Sequence, residues 1–148
     1  MSRTDAPGES SPGTRSWPLP GSWAPRLRSA LRIVAAFVFM QYGTAKLFAF
    51  PGAIMPDGGT APLTSLAGVA SLLETIGGAF VLLGLFTGPV AFVLSGEMAV
   101  AYFYGHAPMG FWPVLNQGVQ AVLFSFVFLY LSAAGPGPWS LDALRARG

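Results

Sequence analysis

The chain has 148 residues, of which 53% are hydrophobic and only 9% are charged. This balance excludes a water-soluble globule, whose composition is about 25% charged. The net charge of +2 comes from basic residues near the chain ends, which indicates membrane topology and not nucleic-acid binding. Because the chain has no cysteine and one histidine, it cannot by itself form disulfides, iron–sulfur clusters or bis-histidine haem sites.

Residues 1–28 are rich in Pro, Gly and Ser, which predicts a disordered cytoplasmic tail. An apolar run then extends over about 31–50, and roughly 20 residues suffice to cross the hydrocarbon core. Pro51 ends this run. We expect a retained transmembrane helix, because no cleavage site of small residues follows Ala49 and further apolar runs do.

Three later apolar runs predict three further transmembrane helices. They cover about 66–86, 90–105 and 114–134. The second and third are joined only by residues 87–89, so they must be antiparallel neighbours. We therefore predict an all-α, integral membrane four-helix bundle over residues 29–135, with up-down-up-down topology and a short cytoplasmic tail over 136–148.

The basic residues predict the orientation of this bundle. Those before or at the start of the first run, or after the last, are Arg3, Arg15, Arg26, Arg28, Arg32, Arg145 and Arg147. Only Lys46 lies between the runs. Under the positive-inside rule, both termini are expected in the cytoplasm.

Ionisable residues inside the predicted spans are candidate functional groups, because a charge at a helix centre costs roughly 2.5–3.5 kcal/mol on insertion scales. Lys46 lies about one turn from the outer end of the first span and Glu74 about two turns from that of the second, so their depths differ by about 6 Å. A lysine stem can bridge this distance. We expect a Lys46–Glu74 pair.

Glu97 lies near the middle of the third predicted span, where the sequence supplies no cation at the same depth. A buried carboxyl of this kind can exchange protons, which makes Glu97 a candidate proton acceptor. The alternative, equally weighted, is a protonated Glu97 that hydrogen-bonds Gln41, Gln117 or Gln120 across helices.

His106 and Asn116 flank the second predicted outer turn. His106 is either a surface cap or a contact to the polar head of a ligand between the helices. Asn116 can cap the fourth helix or hydrogen-bond a ligand, and capping is the more common use.

The chain resembles the DoxX family of small four-helix bacterial membrane proteins from about Arg32 to Asp142. The matching residues are Gly43, Lys46, Leu47, Glu74, Gly77, Gly78, Gly84, Leu85, Phe86, Met98, Ala101, His106, Asn116 and Gly118. The most specific part is Gly-Pro-Gly-Pro-Trp-Ser-Leu-Asp at 135–142. In one departure, Val119 stands where the family often carries Glu, with Gln120 beside it, so helix four lacks a carboxylate.

The resemblance implies a multi-pass protein of the bacterial cytoplasmic (inner) membrane, similar to the membrane subunit of a thiosulfate:quinone oxidoreductase. It implies a quinone-linked accessory subunit of a membrane redox or oxidative-stress complex. In that role Lys46, Glu74, His106 and Asn116 bind the ligand and Glu97 accepts a proton. The chain has no intrinsic cofactor ligands, so we expect electrons to come from a redox partner protein and no catalysis by this chain alone.

Two alternatives stay open. One is a non-catalytic scaffold or interaction subunit, or a homo-oligomer, in which the Lys46–Glu74 pair fixes the helix register. The less favoured one is a small solute or proton transporter that uses Glu97, because the short helices show no broken-helix signal.

Overall fold

The computed structural model describes residues 21–147, and every regular element in that range is helical. The helices are α1 (Trp23–Phe48), α2 (Leu66–Leu83), α3 (Thr87–Ala101), α4 (Val119–Ala134) and α5 (Leu141–Arg145). A π-helical turn at Leu73–Gly77 interrupts α2, and another at Tyr102–His106 extends α3. The predicted all-α fold is confirmed for the described residues.

The outer surface of the helices is apolar. α1 and α2 are long and apolar enough to cross a membrane, and α4 is a shorter apolar helix. Large side chains such as Phe37, Phe92 and Phe126 lie exposed on α1, α3 and α4. Contiguous exposed apolar surface is unfavourable in water and suits contact with lipid.

The most extensive contacts join α1 to α2 and α3 to α4. Glycines allow the first pair to approach closely: a Cβ atom at Gly43 would lie 2.7 Å from the backbone nitrogen of Thr75, and one at Gly78 would lie 2.7 Å from Cγ of Met40. Small residues at helix contacts are the usual basis of packing in membranes.

Polar and aromatic contacts complete the packing. The Ser95 and Ser125 hydroxyls donate to each other's backbone carbonyls at 2.8 and 3.1 Å, which joins α3 to α4. Phe39 of α1 packs on Phe124 and Phe128 of α4, with ring centroids 5.2 and 4.8 Å apart. These rings form the centre of the apolar core.

A fully buried arginine, Arg32, links the chain segments that meet at one end of the helices. Arg32 donates from Nη1 to the carbonyls of Val81 and Leu82, both at 2.5 Å. Its Nε donates to the Pro136 carbonyl at 2.9 Å, and its Nη2 donates to the Trp139 carbonyl. Arg32 therefore fastens the C-terminal end of α2 to the segment that follows α4, a structural role in addition to the predicted topological one.

The segment after α4 also caps α3. The Asp142 carboxylate accepts hydrogen bonds from the backbone N–H groups of Phe86 and Thr87 at 2.9 and 3.0 Å. The Asp142 N–H donates to the Gly84 carbonyl at 2.9 Å. Burial raises the pKa of Asp142, but the hydrogen bonds from Thr87 and Phe86 and the charge of Arg145 outweigh it and hold the pKa below its usual value. Residues 135–142 thus form a clasp across the helix ends.

The helix bounds differ from the predicted ones at several points. α1 begins at Trp23, so it includes the last residues of the predicted tail over 1–28, and residues 1–20 of that tail lie outside the described part. α4 begins at Val119 and not at 114, because Gln117 has a positive φ of 61° and residues 113–117 form turns. The predicted tail over 136–148 contains α5 and most of the clasp.

Candidate functional site

A cavity of about 120 Å³ lies among α1, α2, α3 and α4, toward the end of α1 opposite Arg32. Three of the five predicted site residues, Lys46, Glu74 and His106, line it. The rest of its wall comprises Phe39, Tyr42, Met98, Ala101, Gln117, Gln120, Ala121 and Phe124. The cavity therefore brings a few polar groups together inside a largely apolar and aromatic wall, as is typical of small-molecule sites.

The predicted Lys46–Glu74 pair is confirmed, with Nζ 2.6 Å from Oε1. Glu74 is only 2% exposed, and its Oε2 atom has no hydrogen-bond partner among the described residues. The π-helical turn at Leu73–Gly77 carries Glu74, and such turns are frequent at functional sites. The pair thus offers a cavity ligand both an ammonium donor and a carboxylate acceptor.

The tautomer of His106 follows from its backbone partner. Its Nδ1 lies 2.9 Å from the carbonyl oxygen of Asn116. A carbonyl only accepts, so we assign the proton to Nδ1, and the neutral ring then carries its lone pair on Nε2. His106 ends the second π-helical turn, Tyr102–His106. It can therefore accept a proton from a cavity ligand at Nε2.

Asn116 supports this arrangement from outside the cavity wall. It is 2% exposed, and its Nδ2 donates to the Gly110 carbonyl at 2.7 Å. Its Oδ1 accepts from the N–H of Gly118, the residue before α4, at 2.8 Å. The side chain thus stabilises the turn leading into α4, and the backbone carbonyl fixes His106. Direct ligand binding by Asn116 stays a prediction.

Glu97 lies on α3 but is not among the lining residues of the cavity. Both its carboxyl oxygens are buried and have no hydrogen-bond partner among the described residues. The bonds to Gln41, Gln117 or Gln120 that were weighed above are therefore not formed. The role of Glu97 as proton acceptor stays a prediction.

The aromatic part of the cavity was missed by the sequence argument. Tyr42 lies four residues before Lys46, and this spacing puts both on one face of α1, a signal that could have identified it. Phe124 contacts Tyr42 with ring centroids 6.2 Å apart. Within residues 21–147, no group of three His, Asp or Glu side chains could hold a metal ion.

Comparison with known proteins assigns the family. The DoxX family model matches residues 27–107, more than half of the chain. The chain belongs to the DoxX family. The matched range contains Lys46, Glu74, Glu97 and His106, whereas Asn116 and the clasp lie beyond it.

Two relatives of this DoxX protein match over most of their length. An uncharacterized protein of Haemophilus influenzae is 42% identical over 125 residues, which cover 81% of this chain and 91% of that protein. The inner membrane protein YphA of Escherichia coli is 30% identical over 135 residues, which cover 82% of this chain and 92% of that protein. No solved structure is significantly similar to the chain.

Proposed function

We propose that this DoxX protein is a quinone-linked accessory subunit of a redox or oxidative-stress complex in the bacterial cytoplasmic (inner) membrane. The cavity carries this proposal, because Lys46, Glu74 and His106 meet there against the rings of Phe39 and Phe124. A quinone headgroup is a flat apolar ring with carbonyl acceptors at two edges. It needs this combination of an aromatic wall and a few hydrogen-bond donors.

Each polar residue has a distinct role in this proposal. The Lys46 ammonium donates to a carbonyl of the headgroup, and its bond to Glu74 holds it in place. A bound quinone would supply reversible two-electron, two-proton chemistry. On oxidation of the quinol, two electrons would pass to the partner protein, while His106 would accept one hydroxyl proton at Nε2 and Glu97, the further proton acceptor on α3, would accept the other. On reduction by electrons from the partner, the same two groups would return both protons. Electrons come from a partner protein, since the chain lacks a ligand set for a redox centre of its own.

The proposed topology is an up-down-up-down bundle of α1 to α4 with both termini in the cytoplasm. Residues 29–135 form its membrane domain. The positive-inside rule supports this orientation, because Arg28 and Arg32 lie near the clasp and Arg145 follows it. The cavity then lies in the outer half of the membrane. The name of the Escherichia coli relative supports the inner membrane as the location.

Purification from the native membrane tests the function. The wild type and Glu74→Gln are isolated in native lipid particles, and mass spectrometry identifies extracted quinones and co-isolated proteins. Asp57→Asn is the matched control, because Asp57 is an exposed acid outside the cavity. We expect quinone with the wild type and the control but not with Glu74→Gln, together with a redox protein as partner. A stable partner without quinone in any sample would contradict the proposal.

That last result would favour the second candidate, a non-catalytic scaffold. One observation supports it: the Lys46–Glu74 pair lies beside the close approach of α1 and α2 at Gly43, where a polar pair can fix the register of two helices. A scaffold predicts that the joint replacement Lys46→Met and Glu74→Leu preserves partner association. A quinone site predicts that either single replacement removes the quinone.

A further inference from the structure

An apolar groove between α3 and α4 adjoins the polar cavity. Its volume is about 390 Å³, and it shares the wall residues Met98 and Ala121 with the cavity. Two wall residues carry hydroxyls, and both are engaged within the protein: that of Tyr102 donates to the Phe111 carbonyl at 2.8 Å, and that of Ser125 donates across to α3. The groove therefore presents apolar surface to whatever lies in it.

The polar cavity and the α3–α4 groove differ in size and polarity as the polar head and the apolar tail of one ligand do. The polar cavity, at about 120 Å³, is smaller than the roughly 300–1,000 Å³ of pockets that enclose a whole small molecule. A lipid-soluble ligand with its polar head in the cavity must therefore extend beyond it. The groove is bordered on its outer side by Phe103 and Phe126, which are 72% and 68% exposed.

We propose that the α3–α4 groove binds the hydrocarbon tail of the ligand whose headgroup lies in the polar cavity. The ligand class is a ring with polar substituents that carries a long isoprenoid or alkyl chain. This inference rests on the proposed function. Met98 lies between head and tail, and its unbranched, flexible side chain can adjust to a chain that passes it.

A second groove provides an internal comparison. It lies between α2 and α3, its volume is also about 390 Å³, and its wall is equally apolar. It shares no wall residue with the polar cavity. A third space, of about 420 Å³, touches the cavity at Tyr42 and is lined by Val38 and residues 51–54. We assign the tail to the α3–α4 groove because that groove shares two wall residues with the polar cavity, whereas the third space shares one and the α2–α3 groove shares none.

The test uses two benzoquinones with the same headgroup, one without a tail and one with a ten-carbon tail. Their dissociation constants are measured in lipid nanodiscs, where partition of the tailed compound into lipid is the same for every variant. The variants are Val122→Trp in the α3–α4 groove, Val93→Trp in the α2–α3 groove and Val38→Trp beside Tyr42. Ala99→Phe, which fills the α3–α4 groove from its other wall, is a second variant.

We expect Val122→Trp and Ala99→Phe to raise the Kd of the tailed compound by about tenfold. A displaced tail lies in lipid and not in water, so the loss comes from its van der Waals contacts with the groove wall. The Kd of the tailless compound should not change, which also shows that the variants fold. Val93→Trp and Val38→Trp should leave both values unchanged. An unchanged Kd for the tailed compound in both groove variants, or a selective loss in Val38→Trp, would overturn the tail site alone. A wild type that binds neither compound would overturn the proposed function with it.

Discussion

The buried guanidinium of Arg32 is expected to make a large contribution to the stability of the fold. Replacing it by Met keeps an apolar stem and removes the guanidinium. The carbonyls of Leu82, Pro136 and Trp139 then lose the donor that the structure gives them, while that of Val81 keeps another N–H. Unsatisfied buried carbonyls cost about 1–3 kcal/mol each, and these three hydrogen bonds are only part-buried, so together they cost at most roughly 3–9 kcal/mol. Relief from guanidinium desolvation offsets part of this, so we expect a net loss of about 3–5 kcal/mol.

The assay is denaturant unfolding in a fixed detergent, followed by circular dichroism. Arg26→Met is the control, because Arg26 lies exposed on the same helix and an exposed substitution changes stability by only about 0.5 kcal/mol. Arg32→Lys keeps the charge but not the planar fork and should fall between the two. If Arg32→Met were no less stable than Arg26→Met, the assigned role of this arginine would be refuted.

Three further predictions concern the clasp, the close approach of α1 and α2, and the charged pair. Asp142→Asn keeps one acceptor oxygen and replaces the other by an NH2 donor, so one of the two hydrogen bonds to the start of α3 is lost at a cost of about 1 kcal/mol. Because the folded-state pKa of Asp142 is lowered, its contribution is present at neutral pH and is lost as pH falls through and below about 4. A difference in stability between wild type and variant that did not shrink there would contradict this. Gly43→Ala should lower the melting temperature, because its Cβ would meet the α2 backbone, whereas Gly96→Ala meets nothing within 4 Å; equal melting temperatures would count against the close α1–α2 packing. Lys46→Met alone leaves Glu74 buried without its cation and should reduce the free energy of unfolding by about 3–5 kcal/mol. Adding Glu74→Leu should restore stability in the same unfolding assay. Strictly additive losses in the double variant would exclude an energetic coupling between Lys46 and Glu74.

The Lys46–Glu74 pair could be predicted from the sequence because an isolated charge is costly in lipid, so two opposite charges at similar depth are expected to pair. The clasp over residues 135–142 could not be predicted from the sequence. Charge counting treats Arg32 like every other arginine near the chain start, and only the return of residues 135–142 to that end makes it a buried donor. The cap formed by Asp142 depends on the same long-range contact.

Site geometry was predictable only in part, for a similar reason. Sequence placed His106 near the outer turn, but its tautomer depends on the Asn116 carbonyl, which lies 2.9 Å from Nδ1. The spacing of Glu97 in its helix gives its depth but not its distance from the cavity wall. Its carboxyl oxygens are buried without a hydrogen-bond partner among the described residues. No pattern in the sequence indicates that arrangement.

Labelling with a photoreactive quinone can locate the quinone headgroup within the protein. The purified wild type is irradiated in nanodiscs with a quinone that carries the reactive group on its ring, and mass spectrometry of the peptides locates the adducts. We expect labels on the cavity residues Tyr42, Met98 and Phe124, and their loss when excess unlabelled quinone competes. Labels confined to lipid-facing residues such as Phe37 and Phe92, unaffected by competition, would contradict a quinone site in this cavity.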